Sequence, residues 1–123
     1  MQHSKDDARG KALIGILDEL RQGTVIVEGA HDVRALAYLG VPSIPFSRVS
    51  GPALGCSSRK VYLLMDNDRG GAEKSEKLRS RILELGEGYV INEVLGKRML
   101  RMLNATSVEQ IKGPIDEALK KSG

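Results

Sequence analysis

The chain has 123 residues, 28% of them charged, with a net charge of +3, one cysteine and no tryptophan. That length fits a single domain whose core needs no covalent staple. The lone Cys56 excludes an intramolecular disulfide and any paired-cysteine metal site, and predicts a reduced, cytoplasmic setting.

The polar start, MQHSKDDARGK, predicts no secretory signal, and no run approaches the ~18 apolar residues of a membrane span, so no membrane partner is expected. Over residues 8–21, Leu13, Ile16, Leu17 and Leu20 recur at helical spacing, with Gly23 just past the end. TVIVE at 24–28 is a short β-branched run that predicts a strand, and Gly29 turns the chain. A second helix is expected over about 31–39, with Val33, Leu36 and Ala37 on one face and Gly40 as its stop. The segment 43–50, SIPFSRVS, alternates and carries Pro45, which predicts a strand near a sheet edge. Residues 51–60 read as a loop with room for one helical turn.

VYLLMD at 61–66 is the clearest buried strand, apolar toward both faces as central parallel strands are. After DNDRGG, residues 72–85 predict a helix with Leu78, Ile82 and Leu85 on one face. GYVI at 88–91 reads as a fourth strand. Two helices are expected after it. One covers about 93–103 with Leu95, Met99 and Met102 aligned; the other covers about 107–121 and opens on the capping box Thr106-Ser107-Val108-Glu109. Strands alternating with helices predict one α/β domain over 1–123 with a parallel sheet built from right-handed crossovers.

Ligands in open parallel sheets bind outside the carboxyl ends of the strands. Two of the expected strands end in acids: VIVE in Glu28, and VYLLMD in Asp66 with Asp68 two residues on. On neighbouring strands about 4.8 Å apart, these three carboxylates would meet at one sheet end and repel. A hard divalent cation resolves that conflict, and an all-oxygen donor set points to Mg²⁺ or Mn²⁺. Magnesium is commonly shared with substrate phosphates, so a phosphate-bearing substrate follows. DNDRGG has rival readings. A polar turn with local Asp and Asn backbone bonds stays open. An EF-hand loop starting at Asp66 is excluded by Gly70 and Lys77 at its fifth and twelfth positions. An acidic-phosphatase motif is excluded because Gly70 stands where a threonine is required and Asp116 is the only later aspartate.

VIVEGAHDVRAL, followed about forty residues later by VYLLMDNDRGG, resembles the Toprim domain of topoisomerases, bacterial-type primases, some nucleases and small stand-alone proteins. The family's first signature is a strand-end Glu followed by Gly, with an Asp four after the Glu. Its second is Asp-x-Asp-x-x-Gly after a later strand. Glu28, Gly29 and Asp32 match the first; Asp66, Asp68 and Gly71 match the second, and the resemblance spans about 24–91. It implies a Toprim-type, Rossmann-like sheet of four parallel strands flanked by helices. It also implies that Asp66 and Asp68 hold Mg²⁺, while Glu28 joins them or acts as general acid/base. Asp32 is either a functional residue of the motif or a helix cap, because an acid in a first helical turn is favoured by the dipole. Arg34, Arg69 and Lys74 are candidate phosphate contacts, and His31 is a candidate proton shuttle beside the site.

Tyr38, Tyr62 and Tyr89 fall in an expected helix and two expected strands, which does not suit a topoisomerase nucleophile. The likeness is instead to small stand-alone Toprim proteins, some related to nucleases that mature ribosomal RNA and to primases. The function expected is Mg²⁺-dependent cleavage of phosphodiesters in structured RNA or DNA. A non-catalytic nucleic-acid-binding or assembly module remains the alternative, and phosphotransfer on small nucleotides a third. Basic residues cluster at Arg79 and Arg81, at Lys97, Arg98 and Arg101, and at Lys120 and Lys121, which permits an anionic partner without demanding one. With Phe46 as the one phenylalanine and no tryptophan, a base-stacking platform is not expected, which favours duplex or structured RNA.

Overall fold

The computed structural model describes residues 3–49, 59–66, 69–84, 88–103, 105, 110 and 113–117. Its elements run α1 (His3–Leu20), β1 (Thr24–Val27), α2 (Ala30–Tyr38), β2 (Ile44–Pro45), a 3-10 turn (Phe46–Arg48), β3 (Lys60–Leu64), α3 (Arg69–Glu84), β4 (Val90–Asn92) and α4 (Val94–Met102). The four strands form one parallel sheet in the order β2-β1-β3-β4. This is the α/β fold with a four-stranded parallel sheet flanked by helices that the alternation of elements predicts.

Period-two alternation along the central strands divides the core into two layers. Val25 and Val27 of β1 and Tyr62 and Leu64 of β3 face a cluster with Leu13, Ile16, Leu17 and Leu20 of α1, Leu36 of α2, and Leu95, Met99 and Leu100 of α4. Ile26, Val61, Leu63 and Met65 face the other way, against Leu78 and Ile82 of α3. The helical stripes and the doubly apolar strands are thus two sides of one packing solution. Tyr62 is buried with its hydroxyl turned to Glu19 Oε1 at 3.5 Å, which ties β3 to α1.

Several boundaries differ from the sequence reading. The segment 43–50 is not a long strand: only Ile44 and Pro45 pair, with Ile26 and Val27, and the chain then tightens into the 3-10 turn. Pro45 has no N–H to give a ladder and its φ of −73° starts the turn. Helix α1 begins at His3 rather than residue 8, in a stretch free of proline. Strand β3 ends at Leu64, so Met65 and Asp66 follow it rather than belong to it. Helix α3 begins at Arg69, not residue 72. Strand β4 starts at Val90 rather than residue 88, where Gly88 takes a left-handed φ of +75°. Residues 113–117 are helical, within the span of the last expected helix, while its capping box at 106–109 and residues 51–58 of the loop expected at 51–60 lie outside the described residues, and Lys60 already belongs to β3.

Candidate functional site

The sheet order creates a switch point. From β1 the chain crosses through α2 to β2 on one side, and from β3 it crosses through α3 to β4 on the other. Diverging connections leave a crevice beyond the carboxyl ends of the two adjacent strands, which is where open α/β sheets bind ligands. The register pairs Val27 with Leu64, so Glu28 is level with Met65 and Asp66 comes next.

Glu28 and Asp66 do meet there. Glu28 Oε2 accepts a hydrogen bond from the Asp66 N–H at 3.0 Å, and the two side chains also share one. Lys74 Nζ, from the second turn of α3, lies 2.8 Å from Glu28 Oε1. The Glu28 side chain is only 12% exposed, and that of Lys74 is half exposed. Burial pushes the Glu28 pKa up, but hydrogen bonds with the Asp66 carboxyl, the Lys74 ammonium and the Asp66 N–H, together with the ammonium's charge, outweigh it. The net effect holds Glu28 below the ordinary 4.5, so it is ionised at neutral pH.

Gly71 explains how α3 comes so close. A Cβ built there would lie 1.9 Å from the Asp66 carbonyl oxygen and 2.8 Å from its carbonyl carbon. The first turn of α3 therefore presses on the backbone that presents the Asp66 carboxylate, and this brings Lys74 within reach of Glu28.

Asp32 is 7% exposed, and its Oδ2 accepts the Gly29 N–H at 3.1 Å. This is half of a capping box, since Gly29 has no side chain to return the bond. The cap fixes the turn that aims Glu28. Asp32→Ala is expected to lower stability by about 1 kcal/mol, and Asp32→Asn, which keeps an acceptor, by much less. Urea unfolding of both variants checks this; equal losses would show that the cap is not the source.

The remaining candidates are more exposed. His31 and Arg34 lie on the surface of α2, and among the described residues neither side chain makes an ion pair or hydrogen bond. Arg69 is 94% exposed and pairs with Glu73 at 3.4 Å. Asp68 lies outside the described residues. Among the described residues no group of three or more His, Cys, Asp or Glu side chains gathers; Glu28 and Asp66 form a pair.

The sequence reading missed Glu93. It follows β4 directly, its side chain is 14% exposed, and it ion-pairs with Arg79 of α3. Together with Asp66, Ser75 and Lys97 it lines a small cleft on the β4 side of the site. The signal was present, because VINE ends in an acid as VIVE does. Three successive strands of the sheet, β1, β3 and β4, thus lead into acidic residues at the same edge.

No protein-family model and no curated protein matches the sequence. Among solved structures, an uncharacterised protein from Aquifex aeolicus is similar, with a TM-score of 0.64 and 24% identity over 80% of this chain and 96% of that one. The likeness shows the fold. No described helix is long and apolar enough to cross a membrane.

Proposed function

We propose that this chain is a Mg²⁺-dependent Toprim-type enzyme of nucleic-acid phosphodiesters, a nuclease of structured RNA or DNA working in the cytoplasm. The observation that carries the reading is the contact between Glu28 and Asp66 at the switch point of the sheet. Two carboxyl groups that share a hydrogen bond, with Glu28 held ionised by Asp66 and Lys74, are a hard-oxygen donor pair that fits Mg²⁺ or Mn²⁺. Asp68, two residues after Asp66, would complete the set with them. A bound cation supplies positive charge to a phosphodiester oxygen and to a water nucleophile. Glu28 is placed to join that set or to hold a proton during the reaction. Lys74, with its ammonium already at the carboxylates, is placed to offer positive charge to a substrate phosphate.

One observation favours a second reading. The Lys74 ammonium itself neutralises Glu28, which suits a nucleic-acid-binding or assembly module that docks phosphate without turnover. Incubation of the pure protein with structured RNA and with duplex DNA, plus Mg²⁺ or Mn²⁺, separates the two. The enzyme reading expects cleavage by the parent and none by Asp68→Asn prepared alongside. A metal-induced rise in melting temperature with no cleavage of either substrate would instead favour the module.

A further inference from the structure

On the β2 side of the carboxylate pair, the start of α2 and the 3-10 turn border an open cavity of about 460 Å³. Its walls include Gly29, Arg34, Ser43, Pro45, Ser47 and Arg48. Two features of this cavity point to an anionic guest. Arg34 and Arg48 reach it from two different elements, and among the described residues neither guanidinium has an acidic partner. No acidic side chain is among its described walls. Two planar guanidiniums are a donor set for tetrahedral oxyanions, which arginine grips in bidentate fashion. The volume is within the range of small-molecule sites, so it holds more than a bare ion. The wall formed by Gly29 is the residue directly after Glu28, which makes the cavity a neighbour of the carboxylate pair.

We propose that this cavity is a phosphate subsite: Arg34 and Arg48 hold one phosphate of a nucleic-acid strand while a neighbouring phosphodiester lies at Glu28 and Asp66. The inference rests on the proposed phosphodiester chemistry and gives the substrate its register. The guest is either a strand's terminal phosphate or an internal backbone phosphate, and both present the same oxygens to the arginines.

The test measures binding of a hairpin RNA, 5′-phosphorylated or 5′-hydroxyl, by fluorescence anisotropy in EDTA. The parent is compared with the Arg34→Gln/Arg48→Gln double variant. Both arginines are exposed, so the variant is expected to melt as the parent does, and a thermal melt verifies that it is folded. Binding by the double variant should weaken about tenfold or more, and its salt slope between about 50 and 200 mM should fall by about one, the loss of one phosphate contact. If the parent prefers the 5′-phosphoryl RNA and the variant does not, a terminal phosphate is the guest. Equal weakening for both RNAs assigns an internal one. An unchanged affinity and salt slope in the double variant overturns the subsite. Because binding is read without metal, a failure to cleave with Mg²⁺ would remove the enzyme reading and leave this result standing, and the converse also holds.

Discussion

Glu28→Gln is expected to lower the rate of phosphodiester cleavage by about 10²–10⁴-fold while leaving the protein folded. The amide has the shape of the carboxylate, and its oxygen can still accept the Asp66 N–H that Glu28 accepts at 3.0 Å. It cannot hold a proton for the reaction, and it offers Lys74 no negative charge. Two opposed effects act on the metal-free protein. The contact with half-exposed Lys74 is lost, which matters little because solvent screens such pairs. The desolvation of a buried charged carboxylate is also relieved, which stabilises. The melting temperature in EDTA should therefore shift by only a few degrees. Mg²⁺ should raise the parent's midpoint by mass action on the folded state, and raise that of Glu28→Gln less. Cleavage at the parental rate by a fully folded Glu28→Gln would remove Glu28 from the chemistry.

The same variant reads the charge of Glu28 through pH. Its folded-state pKa is lower than 4.5, so the folded protein loses this proton more readily than the unfolded chain does. The stabilisation it contributes is fully present well above pH 4.5, and is lost as pH falls below 4.5 through the lowered folded value. Glutamine cannot titrate. The difference in stability between parent and Glu28→Gln should hold constant from neutral pH downward and change only below 4.5. Melts across that range check the sign.

Much of this architecture is legible in the amino-acid sequence alone, and particular residues show why. Leu13, Ile16, Leu17 and Leu20 repeat at the helical period and are all buried. VYLLM is apolar throughout because Tyr62 and Leu64 face one core layer while Val61, Leu63 and Met65 face the other. Such patterns are local and strong. Glu28 and Asp66 are legible because each ends an apolar run, and parallel pairing of those strands brings strand ends together. What is not legible depends on contacts across the sheet. Lys74 reads as one charge among many on a polar helix face, and only the close approach of α3 puts its Nζ at Glu28. Arg48 looks like part of an alternating strand until Pro45 ends the ladder after two residues and turns it toward Arg34. Asp32 fits a motif and a cap equally well on paper, and the bond to the Gly29 N–H shows the cap.

Gly71→Ala should destabilise the protein, the opposite of what the same substitution does in an ordinary helix. Glycine inside a helix normally costs about 0.5–1 kcal/mol relative to alanine, so replacing it usually helps. Gly15 of α1 is such a position: a Cβ there meets nothing within 4 Å, and Gly15→Ala should raise stability by about that amount. At Gly71 the new methyl would fall 1.9 Å from the Asp66 carbonyl oxygen, 2.8 Å from its carbonyl carbon and 3.0 Å from its nitrogen. All three are backbone atoms, and no rotamer change can move them aside. Either the first turn of α3 lifts away or the Asp66 backbone is displaced, at a net loss of about 1–3 kcal/mol or more, as overpacked sites show. Each route separates Lys74 from Glu28 or shifts the Asp66 N–H off Glu28 Oε2, so the loss of stability should come with a loss of metal and phosphate binding. Urea unfolding of the two alanine variants side by side gives the comparison its force, because both replace a helical glycine and only Gly71 meets the Asp66 backbone. If Gly71→Ala proves as stable as Gly15→Ala and binds Mg²⁺ as the parent does, α3 does not press on Asp66, and the glycine of the second motif serves some other end.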